Sequence, residues 1–111
     1  MNHIFDQITG LMEAGECGTL VVVTSVSGHT PQVVGAKMVV KQDGTLIGTV
    51  GGGRFEHVII EKALSVLETG TPETLSLRLK AELGMCCGGE MEVYMEPLTP
   101  AERLICFGAG H

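Results

Sequence analysis

Three short elements of this chain bring together residue types that could bind or react. Gly51-Gly52-Gly53-Arg54 stands between a β-branched apolar run and an amphipathic one. Three residues without side chains let successive backbone N–H groups converge on one ligand. The unpaired amides and dipole of a following helix favour negative charge there by about 0.3–1 kcal/mol at an exposed site. Arg54 adds a charged donor, so the turn suits a phosphate. It is not a Walker A loop, because no Lys-Ser/Thr pair follows the glycines. The same glycines also serve a plain strand-to-helix turn that needs nothing beyond positive φ. Glu56, in the first helical turn, can stabilise the helix dipole or accept a hydrogen bond from an N–H donor on a ligand.

The second element is Cys86-Cys87-Gly88-Gly89, where a thiol beside two glycines can be approached closely. Thiolates are soft ligands for transition metals when their surroundings lower the pKa. Adjacent side chains of an extended chain point to opposite faces, which leaves one working thiol and one packed inward; an inert buried cysteine is the alternative for either. No C-x-x-C pair is present, and ligands for a closed zinc site are too few. The third element is Gly28-His29-Thr30-Pro31 with the segment up to Lys37, in which His29 and Thr30 offer hydrogen bonds and Lys37 a charge. A lone loop histidine is more often a surface or capping group than a ligand. Nothing pairs a nucleophile with a histidine and an acidic orienter, so hydrolase chemistry has no support.

The composition narrows the classes further. At 111 residues, 44% of them apolar, the chain has material for one buried core. A net charge of −6 with seven basic residues argues against nucleic acid, whose binding rests on many phosphate contacts from Lys and Arg. No apolar run has the length of a membrane span and the first residues lack the layout of a signal peptide, so the expectation is a cytoplasmic protein away from membranes. The four cysteines do not form a secreted disulfide framework. A Cys86–Cys87 bond would be strained, since neighbouring α-carbons lie about 3.8 Å apart.

The elements that must position these loops follow from periodicity. Ile4, Phe5, Ile8, Leu11 and Met12 trace one helical face over residues 3–14, stopped by Gly15 and Gly18. Residues 19–26 read as a strand buried on both faces. Strands at 36–41 and 45–50 meet through Gln42-Asp43-Gly44, a hairpin signal. Phe55, Ile59, Ala63, Val66 and Leu67 predict a second helix that ends at Gly70. Residues 74–80 and 90–96 alternate apolar and polar, the pattern of half-exposed strands. Met38, Met91 and Met95 sit on strands and belong to the core or, in a plain interaction domain, to a contact surface. The expected fold is α+β: a mixed or antiparallel sheet of about five strands with two main helices. Leu98-Thr99-Pro100 reads as a linker. Residues 103–111, ending Phe107-Gly108-Ala109-Gly110-His111, look like the first strand and glycine turn of a Rossmann domain whose remainder is missing. Residues 1–98 then form one domain, and 99–111 the linker and opening strand of the next.

Taken in order and spacing, Gly28-His29-Thr30-Pro31, Gly35-Ala36-Lys37-Met38, Gly48 to Gly53 with Glu56, Leu83 to Gly89 and Phe107 to His111 resemble the XdhC/CoxI family. The resemblance covers most of the chain. It implies an accessory protein, not an enzyme: a chaperone that binds the molybdenum cofactor (molybdopterin) as cargo and helps its insertion into a xanthine-dehydrogenase-like molybdenum hydroxylase. It further implies a cysteine desulfurase as a second partner, a homodimer, and a nucleotide at the missing Rossmann domain. On this reading Cys87, with Cys86, Gly88 and Gly89, meets the cofactor's molybdenum or sulfur, and Gly51, Gly52, Gly53 and Arg54 hold its phosphate. Glu56, His29 and Lys37 complete the set. Where CoxI-type relatives often carry a cysteine after the three glycines, Arg54 stands here. The competing expectation is a nucleotide-dependent thiol redox enzyme using Cys87 and the missing Rossmann domain.

Overall fold

The computed structural model describes residues 3–28, 33–48, 54–78 and 89–99. Helix α1 (His3–Glu13) is followed by strands β1 (Gly18–Ser27), β2 (Lys37–Lys41) and β3 (Leu46–Gly48), helix α2 (Arg54–Thr69), and strands β4 (Glu73–Arg78) and β5 (Glu90–Leu98). The strands form one sheet in the order β3-β2-β1-β5-β4, with every neighbouring pair antiparallel. The expected α+β fold is therefore present, and its sheet is antiparallel throughout.

Register decides what each face does. Val21 stands opposite Met38 on one side and Met95 on the other, and Val23 opposite Val93. Together with Val40, Met91 and Leu77 these residues make a fully buried face, and α2 lays Ile59, Ala63 and Val66 onto it. The methionines Met38, Met91 and Met95 are thus core side chains and do not form a contact surface. Val39 points to the other face and is equally buried, because α1 packs there against β2 and β3. Lys41 and Glu16 meet at 3.7 Å on that side. On β1 the same face carries the half-buried Leu20 and Val22, so burial of the strand is complete at Thr19, Val21 and Val23 on the α2 side and partial on the other.

Most boundaries follow the chain's punctuation. Helix α1 closes where Gly15 N–H donates to Met12 O and Glu16 N–H to Leu11 O, the double bond of a Schellman cap. Strand β5 runs through Leu98, which pairs with Gly18, so Leu98 belongs to the sheet and not to a linker. Pro97 is tolerated because β4 begins only opposite Met95, leaving β5 without a neighbour on that side. One irregularity left no mark in the periodicity: register shifts between Val23 and Ser25, making Thr24 an extra residue in β1.

The β2–β3 hairpin shows local chemistry fixing a turn. Asp43 Oδ1 accepts from Thr45 Oγ1 at 2.6 Å and from Thr45 N–H at 3.0 Å. These bonds, the hydroxyl's first, hold the Asp43 carboxyl below its ordinary pKa. With the folded-state value depressed, their stabilisation is complete above the unfolded-state pKa and is lost as pH falls through the folded one. Thr45→Ala is expected to raise the titration midpoint of Asp43, followed by NMR. Two glycines of the hairpin separate strain from contact. Gly44 (φ 90) faces open space, whereas a Cβ on Gly48 (φ 75) would sit 3.0 Å from the backbone oxygen of Lys37. Gly44→Ala should cost about 1 kcal/mol of left-handed strain, and Gly48→Ala clearly more, by urea denaturation.

Candidate functional site

The antiparallel order sends one end of the sheet toward all three candidate loops. Strand β1 finishes at Ser27, β4 at Arg78, and β5 starts at Glu90, with Ser27, Glu90 and Arg78 in one register line. Strand β2 starts at Lys37 and β3 finishes at Gly48, at the same end. The described residues flanking the segments at 29–32, 49–53 and 79–88 thus share one end of the molecule. That end is stepped: Gly48 lies level with Val21 and Glu90 level with Ser27, about 20 Å further along the strands.

Helix α2 points its opening the same way. Thr19 Oγ1 donates to Ala63 O at 2.7 Å, fixing the middle of the helix over the start of β1. Beside Ala63, Lys62 Nζ lies 2.6 Å from Glu73 Oε1 and ties the same part of the helix to the start of β4. Arg54 lies about 13 Å along the axis from Ala63, toward the loop end. The first turn of α2 therefore opens toward the loop end, on the α2 face of the sheet.

The expected site residues divide between what is described and what is not. Cys86, Cys87, Gly88, Gly51, Gly52, Gly53 and His29 lie outside the described residues, as do the side chain of Arg54 and residues 103–111. Glu56 stands half-buried in the first turn of α2. Gly89 is buried immediately before β5. Lys37 is engaged within the fold: its Nζ donates to Gly35 O at 3.0 Å and lies 5.6 Å from the centroid of the Phe5 ring. It stands on the α1 face, because it alternates with Met38, so Lys37 and the opening of α2 lie on opposite faces of the sheet.

Two hollows are lined by described residues. One, of about 300 Å³, sits at the loop end on the face away from α2, between Ser25, Ser27, Ser76, Glu90 and Glu92. Thr24 Oγ1 donates to Glu92 O at 3.2 Å at its edge. Ser25 and Ser27 share this face with Glu90 and Glu92 through the bulge at Thr24, a placement that the reading of residues 19–26 as a strand buried on both faces missed. The larger hollow, about 770 Å³, lies at the opposite end, between Met12, Cys17, Leu67, Gly70 and Pro97. Among the described residues no three His, Cys, Asp or Glu side chains gather as a metal site, and no helix is long and apolar enough to cross a membrane.

Comparison with known proteins gives this arrangement a context. The sequence profile of the XdhC and CoxI family matches residues 11–78, more than half of the chain. An uncharacterized protein of Escherichia coli K12, YqeB, is 32% identical over 113 residues, covering 98% of this chain and 21% of YqeB. The molybdenum cofactor insertion chaperone PaoD of the same organism is 26% identical over 95 residues, covering 83% of this chain and 30% of PaoD. A crystal structure described as a xanthine dehydrogenase from Bacillus halodurans superposes with a TM-score of 0.73 at 26% identity, over 83% of this chain and 29% of that one. The chain thus spans between a fifth and a third of the length of these relatives.

Cys17 is a free thiol, buried at 2% exposure at the end far from the loops. A Cys86→Ser/Cys87→Ser/Cys106→Ser variant, with Cys17 as its sole thiol, should react with a thiol reagent only as fast as the protein opens. Labelling in native buffer against labelling in denaturant checks this.

Proposed function

Because the chain belongs to the XdhC and CoxI family, we propose that it is an accessory protein that carries the molybdenum cofactor to a molybdenum hydroxylase of the xanthine dehydrogenase type. It serves that enzyme's maturation and turns over no substrate of its own. The observation that carries this reading is the convergence of the three loop-bearing segments and the opening of α2 on one end of the sheet. The similarity to an insertion chaperone gives it a chemical direction.

In this reading the cargo's phosphate meets the amides of Gly51, Gly52 and Gly53 and the guanidinium of Arg54, where the helix opening favours negative charge. The thiol of Cys87 faces the metal end, with Cys86, Gly88 and Gly89 shaping its approach. Two such attachments suit a ligand with an anionic tail at one end and a soft, sulfur-rich centre at the other. His29 belongs to the same loop cluster. Lys37, held by Gly35 and Phe5 on the α1 face, orders the loop's return into β2 and does not contact the phosphate.

The test is retention. The full chain is mixed with molybdenum cofactor released from a molybdenum enzyme, and the pterin that co-elutes on gel filtration is measured. Wild-type protein should retain it, and Cys87→Ala and Arg54→Ala should each weaken retention by about tenfold or more. Retention unchanged in both variants would overturn the residue assignments. No retention by wild-type protein would overturn the cargo.

A further inference from the structure

The hollow of about 770 Å³, at the end of the sheet away from the loops, has an apolar floor and an acidic rim. Half-buried Met12, Leu67, Pro97 and Leu98 supply the floor. Strand β4 begins only opposite Met95, so Glu96, Pro97 and Leu98 have no strand beside them on that side. The rim carries the exposed carboxylates of Glu68 and Glu96. Neither meets a base among the described residues: Lys41 and Lys62 pair with Glu16 and Glu73, and Lys37 lies over Phe5. The chain itself runs through this hollow, since Thr99 lines it and the next residues are Pro100-Ala101-Glu102-Arg103-Leu104.

We propose that this hollow is the seat of the chain's own segment from Pro100 to Leu104, which lies outside the described residues: Pro100 and Leu104 cover the apolar floor, and Arg103 meets Glu68 and Glu96. Reach, polarity and charge agree. Thr99 stands on the wall of the hollow, and four residues of chain reach at most about 14 Å, so Arg103 cannot lie far from the rim. Covering the floor removes apolar surface of both partners from water, the dominant favourable contribution to such a contact. Arg103 is the first base after β5, and its planar head with five donors can address two carboxylates at once. Both carboxylates are exposed, so these pairs fix position more than they add strength. The contact is intramolecular over a few residues, which keeps the local concentration of the segment high and lets a modest surface suffice. The stretch after β5 is then an anchored strap and not a loose linker, and whatever follows it starts from a fixed point at the end opposite the loops. The placement is independent of the cargo.

Limited proteolysis of the full chain with an arginine-specific protease tests it, the cut after Arg103 being followed by mass spectrometry and the fold of each variant by circular dichroism. Wild-type protein should be cut there at least about a hundredfold more slowly than a free peptide of residues 98–107, because cleavage requires the segment to lift off the hollow. Glu68→Lys/Glu96→Lys, which repels Arg103 from the rim, and Leu67→Asn, which makes the floor polar, should each speed the cut by about tenfold or more. A wild-type chain cut at the rate of the peptide overturns the proposal, as does a slow cut that either variant leaves unchanged.

Discussion

Thr19 is the one fully buried polar side chain among the described residues, and its hydroxyl is spent on the carbonyl of Ala63. Left unbonded there, it would cost about 1–3 kcal/mol in desolvation. This bond and the apolar seam of Ile59, Ala63 and Val66 against Val21, Val23 and Met95 fix where α2 lies along the sheet. Everything at the loop end inherits that placement. A helix moved by one turn would carry its first amides about 5 Å up or down the strands, changing which step of the sheet they address.

The step itself comes from unequal strand lengths. Strand β1 continues to Ser27 while β2 begins opposite Val22, so β1, β5 and β4 run on as a narrower three-stranded arm. At the root of that arm the extra residue Thr24 changes the alternation, bringing Val26 back to the core beside Met91 and leaving Ser25 and Ser27 on the opposite face. A single inserted residue thereby keeps the arm's apolar face continuous with the core. Its other face is polar and carries two glutamates, which places negative charge away from the helix opening and not beside it.

How much of this was legible depended on the range of the interaction involved. Period-two and period-3.6 patterns are local, so seven elements were readable, as was the Asp43-Gly44 hairpin whose bonds span two residues. The pairing of β1 with β5, across about seventy residues of chain, leaves no local trace. Neither does the bulge at Thr24, whose two neighbours are both ordinary strand residues. For the same reason the roles of Leu98 and Lys37 changed: Leu98 looked like a linker until Gly18 paired with it, and Lys37 looked like a free charge until α1 brought Phe5 beneath it. The loops were the reverse case, since their chemistry was legible in glycines and thiols, while their common location needed the strand order.

A chain with a formal charge of −6 repels an anionic ligand at long range, so any phosphate it holds must be held by short-range groups. The opening of α2 is such a group, because its dipole acts within about one turn and is little affected by charges on the far face of the sheet. Lys37 adds little there: it stands on the α1 face, where it donates to Gly35 O and lies over the Phe5 ring. In the proposed function, guanidinium chemistry at Arg54 stands where a thiol would be the alternative. A planar bidentate donor grips a phosphate in one orientation, whereas a cysteine would leave that end to the amides alone. For the carrier role proposed above, attachments spread over loops on a rigid frame would let each contact be released in turn without disturbing the buried seam beneath α2.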